Sequence, residues 1–145
     1  MLTTLTLVAT MLAQAPCDGV SVLKCPPAQE KKLADLQKKM EVAGEFYAWA
    51  FGNWQACQYV KKHKDVMPRV EVEHFMHEEL HNERLAKIAS DAAVSTMKTK
   101  ACLVDYASQA RAAKSVWTDA TQAWLKEETQ AERTCPRTCV TTRPG

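Results

Sequence analysis

Glycine is scarce in this chain, with four residues among 145. A turn-rich β fold needs glycine in many of its turns, so this shortage, together with abundant alanine, favours helices. The sequence also has no glycine-rich phosphate loop and no Gly-x-Ser-x-Gly elbow, the motifs typical of nucleotide binding and serine hydrolysis. Composition therefore predicts a small all-α domain and offers no signature of these two enzyme classes.

An excess of one charge is also absent. Nineteen Lys and Arg residues stand against 17 Asp and Glu, which leaves a formal net charge of only +2. No run of Lys or Arg is longer than two residues. Nucleic-acid binding requires dense positive charge along one surface. We therefore predict no nucleic-acid partner. We expect the protein either to bind another protein, which the sequence does not identify, or to self-associate.

The N-terminal apolar segment, residues 1–12, is too short for a transmembrane helix, which needs about 20 residues. Ala13 and Ala15 follow it with the small-residue spacing of a signal-peptidase site. Residues 1–15 are therefore predicted to be a signal peptide, and the mature chain is predicted to have no transmembrane segment. Six cysteines in so short a chain agree with a secreted or periplasmic protein stabilised by disulfides.

Three segments have apolar residues at alternating spacings of three and four, the pattern of coiled-coil helices. They cover residues 28–65, 69–97 and 102–133. Pro68 interrupts the pattern between the first two, and a polar stretch at 96–101 marks the next turn. The prediction is an up-down-up three-helix bundle over residues 28–134, with an irregular lead-in at 16–27 and an irregular tail at 135–145.

Aromatic residues and glycines add detail to the first segment. Phe46 and Phe51 should widen its apolar face beyond the heptad seam. Gly44 and Gly52 should weaken the helix locally, by about 1 kcal/mol each relative to alanine. Gly52 also suggests close packing against a neighbouring element.

The bundle geometry predicts disulfide partners, because bonded cysteines must lie at the same level of the bundle. In an up-down-up arrangement the first and third helices begin at the same end. One bond is then expected between Cys17 or Cys25 and Cys102, and another between Cys57 and Cys135 or Cys139. One cysteine near each terminus would be left over. The two could be free, closed locally, paired with each other if the tails fold back, or available to link copies into a self-assembling structural protein.

The segment from 74 to 81 is the most unusual in composition, because it holds three of the four histidines. Residues at positions i, i+3 and i+7 of a helix form one stripe, and imidazoles so placed can bind zinc or copper. The candidate ligands are His74, His77 and His81, with Glu78, His63 or Glu71 as possible additions and with Met67 and Met76 nearby for copper(I).

The same residues allow two other interpretations. His77-Glu78-Glu79-Leu80-His81 matches the His-Glu-x-x-His pattern of zinc metallopeptidases, in which Glu78 would act on a metal-bound water. The third ligand would then be Asp91, Asp105 or a more distant carboxylate. Alternatively, the histidines are only packed or exposed side chains of a helix. The sequence favours a non-enzymatic binding or structural module, with metal coordination as its most specific candidate activity.

Overall fold

The protein folds into four helices and a two-stranded ribbon, seen in a computed structural model that describes residues 17–141. The bounds are β1 Val20–Leu23, α1 Pro27–Lys62, α2 Arg69–Leu80, α3 Glu83–Thr99, α4 Tyr106–Thr134 and β2 Arg137–Val140. The predicted signal peptide, residues 1–15, lies outside the described residues. The mostly helical, disulfide-bonded character predicted from sequence is confirmed, whereas the count of three helices is wrong.

Local chemistry accounts for the ends of the two long helices. Pro27 occupies the first turn of α1, where its missing N–H is not needed, and α1 ends where His63 becomes extended. At the start of α4, the Asp105 carboxylate accepts hydrogen bonds from the backbone N–H of Ser108 at 3.1 Å and from its hydroxyl at 2.9 Å. These bonds hold the pKa of Asp105 below its ordinary value of 3.8.

The predicted second helix, 69–97, is two helices that meet at a sharp reversal. His81 adopts the left-handed conformation (φ 50°), which ends α2. Asn82 then caps α3, because its side-chain oxygen accepts a hydrogen bond from the Leu85 N–H at 3.0 Å. The chain therefore turns back on itself within the segment that the heptad pattern read as continuous.

The extra reversal sets the direction of every later element. Arg84 pairs with Glu45, and Thr96 further along α3 bonds to Asn53 further along α1, so α3 runs parallel to α1. Helix α4 runs the opposite way, with Trp117 stacked on Tyr47 near the middle at 5.3 Å between ring centroids. The architecture is up-down-up-down rather than up-down-up.

The two bonds predicted from the bundle levels, from Cys17 or Cys25 to Cys102 and from Cys57 to Cys135 or Cys139, are wrong for this reason. Because α4 is antiparallel to α1, its start lies beside the end of α1, and its end lies beside the start of α1. The observed bonds are Cys57–Cys102 at one end of the molecule and Cys25–Cys135 with Cys17–Cys139 at the other. All six cysteines are paired within the chain, so the predicted leftover cysteine at each end does not exist.

All four helices contribute buried side chains to the core, and small residues let α1 and α3 approach closely within it. Gly52 faces the backbone of Ala89 so closely that an added Cβ would lie 2.2 Å from the Ala89 carbonyl oxygen. Close packing at Gly52, suggested by the sequence, is therefore present. Phe51 is buried as expected, whereas Phe46 is 49% exposed, so it does not widen the core-facing side of α1.

Beyond the core, α1 and α4 continue as a two-helix stalk toward the chain ends. Lys32 and Glu127 bridge its helices at 3.2 Å. Strands β1 and β2 then pair antiparallel, with Val20 opposite Val140. The lead-in and tail, predicted to be irregular, thus contain a short ribbon, which the Cys17–Cys139 bond holds together.

Candidate binding site

Helix α2 separates its histidines from its buried side chains. Val72, Met76 and Leu80 are spaced by four residues and point into the core. His74 and His77 lie between them in sequence and are exposed. The core-facing strip of this region is therefore the apolar one, and the histidine stripe faces outward.

The predicted metal ligands are only partly brought together. The Nε2 atom of His74 lies 3.9 Å from the Oε1 atom of Glu78, and both side chains are largely exposed. Helix α2 ends at Leu80, so His81 lies outside the helical stripe, although its backbone N–H still bonds to the carbonyl of His77 at 3.0 Å. Within residues 17–141, no three His, Cys, Asp or Glu side chains form a group that could hold a metal ion.

Two of the carboxylates considered as further ligands, Asp91 and Asp105, have other partners. Arg69 bonds to Glu73 at 2.8 Å and pairs with Asp91, which ties α2 to α3. The hydrogen bonds to Asp91 and Glu73 raise the pKa of Arg69. Asp105 caps α4. The three-histidine site and the peptidase site both stay predictions, and the peptidase pattern has its second histidine outside the helix that carries its first.

A cavity of about 230 Å³ lies behind α2, between this helix, the end of α1 and α3. Sequence reasoning missed it, although it placed Met67 and Met76 near the histidines. Twelve residues line the cavity, and most are apolar: Gln55, Ala56, Gln58, Tyr59, Lys62, His63, Met67, Val72, Phe75, Met76, Ala93 and Met97.

The cavity has two unlike walls. Three methionines from the α1–α2 loop, α2 and α3 form the apolar wall, together with Val72 and Phe75. Methionine side chains are flexible and polarizable, so they adapt to ligands of irregular shape. The end of α1 supplies the polar side chains, and the ring of His63 stacks on Tyr59 at 4.4 Å between centroids.

Exposed side chains form the mouth of the cavity. Four lining side chains are exposed, those of Gln58, Lys62, His63 and Phe75, whereas Met76 and Met97 at the other side are each only 2% exposed. The cavity therefore extends from the solvent toward the core. A concave, mainly apolar site with a few polar groups at one side is the usual form of a small-molecule site.

A separate apolar strip runs along the outside of α1. Val42, Phe46 and Trp49 lie at positions i, i+4 and i+7, and all three are at least 40% exposed. The rings of Phe46 and Trp49 stack at 5.8 Å, and Trp49 meets Tyr106 edge-on at 5.6 Å. The rings of the strip pack on one another and on Tyr106, whereas the cavity is concave, so the cavity remains the better candidate for a small-molecule site.

Among the helices of residues 17–141, none has the length and apolar character needed to cross a bilayer. Comparison of the chain with protein-family models, with curated proteins and with solved structures finds no match in any of the three.

Proposed function

We propose that the protein is an exported, non-enzymatic binding module that holds a small, mainly apolar ligand in the cavity between α1, α2 and α3. The observation that carries this proposal is the cavity itself, a space of about 230 Å³ with methionine and phenylalanine side chains along one wall. Three disulfides and the signal-peptide pattern of residues 1–15 support a secreted or periplasmic location.

The disulfides also support a role in binding rather than covalent assembly. All six cysteines are used within the chain, so no thiol remains to link copies. The Cys57–Cys102 bond joins the last turns of α1 to the segment that follows α3. Two elements that border the cavity are thereby held in place, which reduces the conformational cost of binding a ligand.

Methionine methyl groups offer a direct test. In protein labelled with ¹³C at the methionine methyls, an apolar probe such as octan-1-ol should shift the signals of Met67, Met76 and Met97. Met40 lies in the stalk and does not line the cavity, so its signal should stay unchanged. Shifts at all four of these methionines, or at none of them, would contradict the proposal.

A pair of phenylalanine variants makes this test specific. Phe75→Ala removes part of the cavity wall and should weaken octan-1-ol binding about fivefold to tenfold, since a large apolar contact is lost. Phe46→Ala removes the same side chain from the outer strip and should leave binding unchanged. Both residues are partly exposed, so both variants should fold, which circular dichroism can verify.

Metal binding on the outer face of α2 is a second candidate function. One exposed turn of this helix favours metal binding. It brings His74 Nε2 to 3.9 Å from Glu78 Oε1, and His77 is close in sequence. Calorimetric titration with Zn²⁺ should show binding that a His74→Ala/His77→Ala variant loses. His81→Ala should retain binding, because His81 lies outside the helix. Undiminished binding by the double variant would refute this candidate.

A further inference from the structure

We infer that the ligand of the cavity is a single-chain amphiphile with an anionic head and an apolar tail of about eight carbons, held tail inward with its head beside Lys62. This inference rests on the proposed function and adds the chemical class of the ligand. It is carried by the separation of polar and apolar side chains between the walls of the cavity and by the charge at its mouth.

The size of the cavity sets the length of the tail. An apolar cavity of about 150 Å³ accommodates benzene, which has six carbons. By the same ratio, the volume of about 230 Å³ accommodates about nine non-hydrogen atoms. An eight-carbon chain fits this space with its head at the mouth, whereas the two long chains of a membrane phospholipid do not.

The side chains at the mouth determine the sign of the charge on the ligand's head group. Lys62 and His63 line the cavity, and no aspartate or glutamate does. The segment 61–65 holds three lysines against one aspartate. Gln55 and Gln58 on the same wall add amide N–H donors. A carboxylate or phosphate head would meet positive charge and donors here, whereas an ammonium head would meet repulsion.

The partial charges of the two helix ends at the mouth do not cancel the positive charge of the lysines. His63 follows the C-terminal end of α1, which carries partial negative charge, and Met67 precedes the N-terminal end of α2, which carries partial positive charge. These partial charges oppose each other, and Lys61 and Lys62 lie in the last turn of α1. The helix ends therefore do not offset the positive charge that Lys62 brings to the lining of the cavity.

Three probes with eight carbons each test the inference. Octanoate, octylamine and octan-1-ol should be titrated at pH 8 in low salt, with the methionine methyl signals as the readout. At this pH octanoate is an anion and octylamine is a cation. We expect octanoate to bind at least tenfold more tightly than octylamine, and octyl phosphate to behave like octanoate.

Two lysine variants locate the charge that matters. Lys62→Gln should weaken octanoate binding about fivefold, the order expected for one exposed ion pair, and leave octan-1-ol within twofold. Lys38→Gln removes the same charge from the same helix, 24 residues or about 36 Å away, and should change neither.

The outcomes separate the inference from the proposed function. If octan-1-ol binds but octanoate and octylamine bind equally, the ligand class is wrong and the apolar cavity site stands. If Lys38→Gln weakens octanoate as much as Lys62→Gln does, the effect is general electrostatics and the inference fails. If none of the probes shifts the cavity methionines, the proposed function fails with it.

Discussion

Replacing Gly52 with alanine would force apart α1 and α3, which pack closely within the core. A Cβ at this position would lie 2.2 Å from the carbonyl oxygen of Ala89 and 2.9 Å from its carbonyl carbon. Both atoms belong to the backbone of α3, so no side-chain rotation can relieve the contact. The helices must separate locally by about 1 Å before the new methyl group reaches ordinary van der Waals distance.

The size of the effect follows from opposing contributions. Buried alanines lie one turn away on each helix, so a gap of this size removes a quarter to a half of their contact energy. Overpacking of this kind typically costs 1–3 kcal/mol of stability. Because the contact here is with rigid backbone, we expect a cost at the upper end, about 3 kcal/mol. Alanine regains about 1 kcal/mol of helix propensity over glycine. The net expectation is a loss of about 2 kcal/mol.

Thermal unfolding followed by circular dichroism, with all disulfides intact, measures this loss. A decrease of about 2 kcal/mol should lower Tm by about 8 °C in a domain of this size. Gly44→Ala is the matched control on the same helix, because its Cβ would meet only the indole of Trp117, at 2.9 Å from Nε1. The indole can tilt, so this variant should stay within about 1 kcal/mol of the parent. A Gly52→Ala protein as stable as the parent would refute the reasoning.

Three further perturbations test a buried hydrogen bond, the disulfides and the cap of α4, each by denaturant unfolding. Asn53→Ala leaves the buried hydroxyl of Thr96 without its partner and should cost about 2 kcal/mol, part of which a second change, Thr96→Val, should restore. Loss of the Cys57–Cys102 bond should cost about 4 kcal/mol, whereas loss of either other disulfide alone should cost about 3 kcal/mol, because its neighbour still closes the long loop. The pKa of Asp105 is lowered in the folded protein, so its contribution is present above pH 3.8 and is lost as the pH falls through the folded-state pKa. An Asp105→Asn variant should therefore show a shallower loss of stability between pH 4 and pH 2.

The long helices could be predicted from sequence because their seams repeat without interruption. Leu33, Met40 and Tyr47 continue the spacing of α1 over several turns, and Pro68 marks the end of the first helical region. The reversal at His81 and Asn82 was missed because apolar residues continue at nearly helical spacing on both sides of it. Asn82 was the available signal, since asparagine favours the N-cap position.

The unpredicted reversal at His81 and Asn82 changed every prediction that depended on the direction of a helix. It inverted α4, and with it the partners of all the disulfides, although the use of cysteines as staples was predicted correctly. It also removed His81 from the helix of His74 and His77. The cavity could not be predicted, because Met67, Met76 and Met97 come together only after α2 folds back against α3.

The antiparallel arrangement of α1 and α4 gives the protein a defined polarity. Cys17 and Cys139 lie 5.7 Å apart between their Cα atoms, at the end of the stalk remote from the cavity. The 36 residues of α1 separate that end from the cavity mouth by about 54 Å. A tag, a surface anchor or a fused domain attached at the ribbon of β1 and β2 would therefore lie far from the cavity. Immobilised protein should bind ligand as well as free protein does.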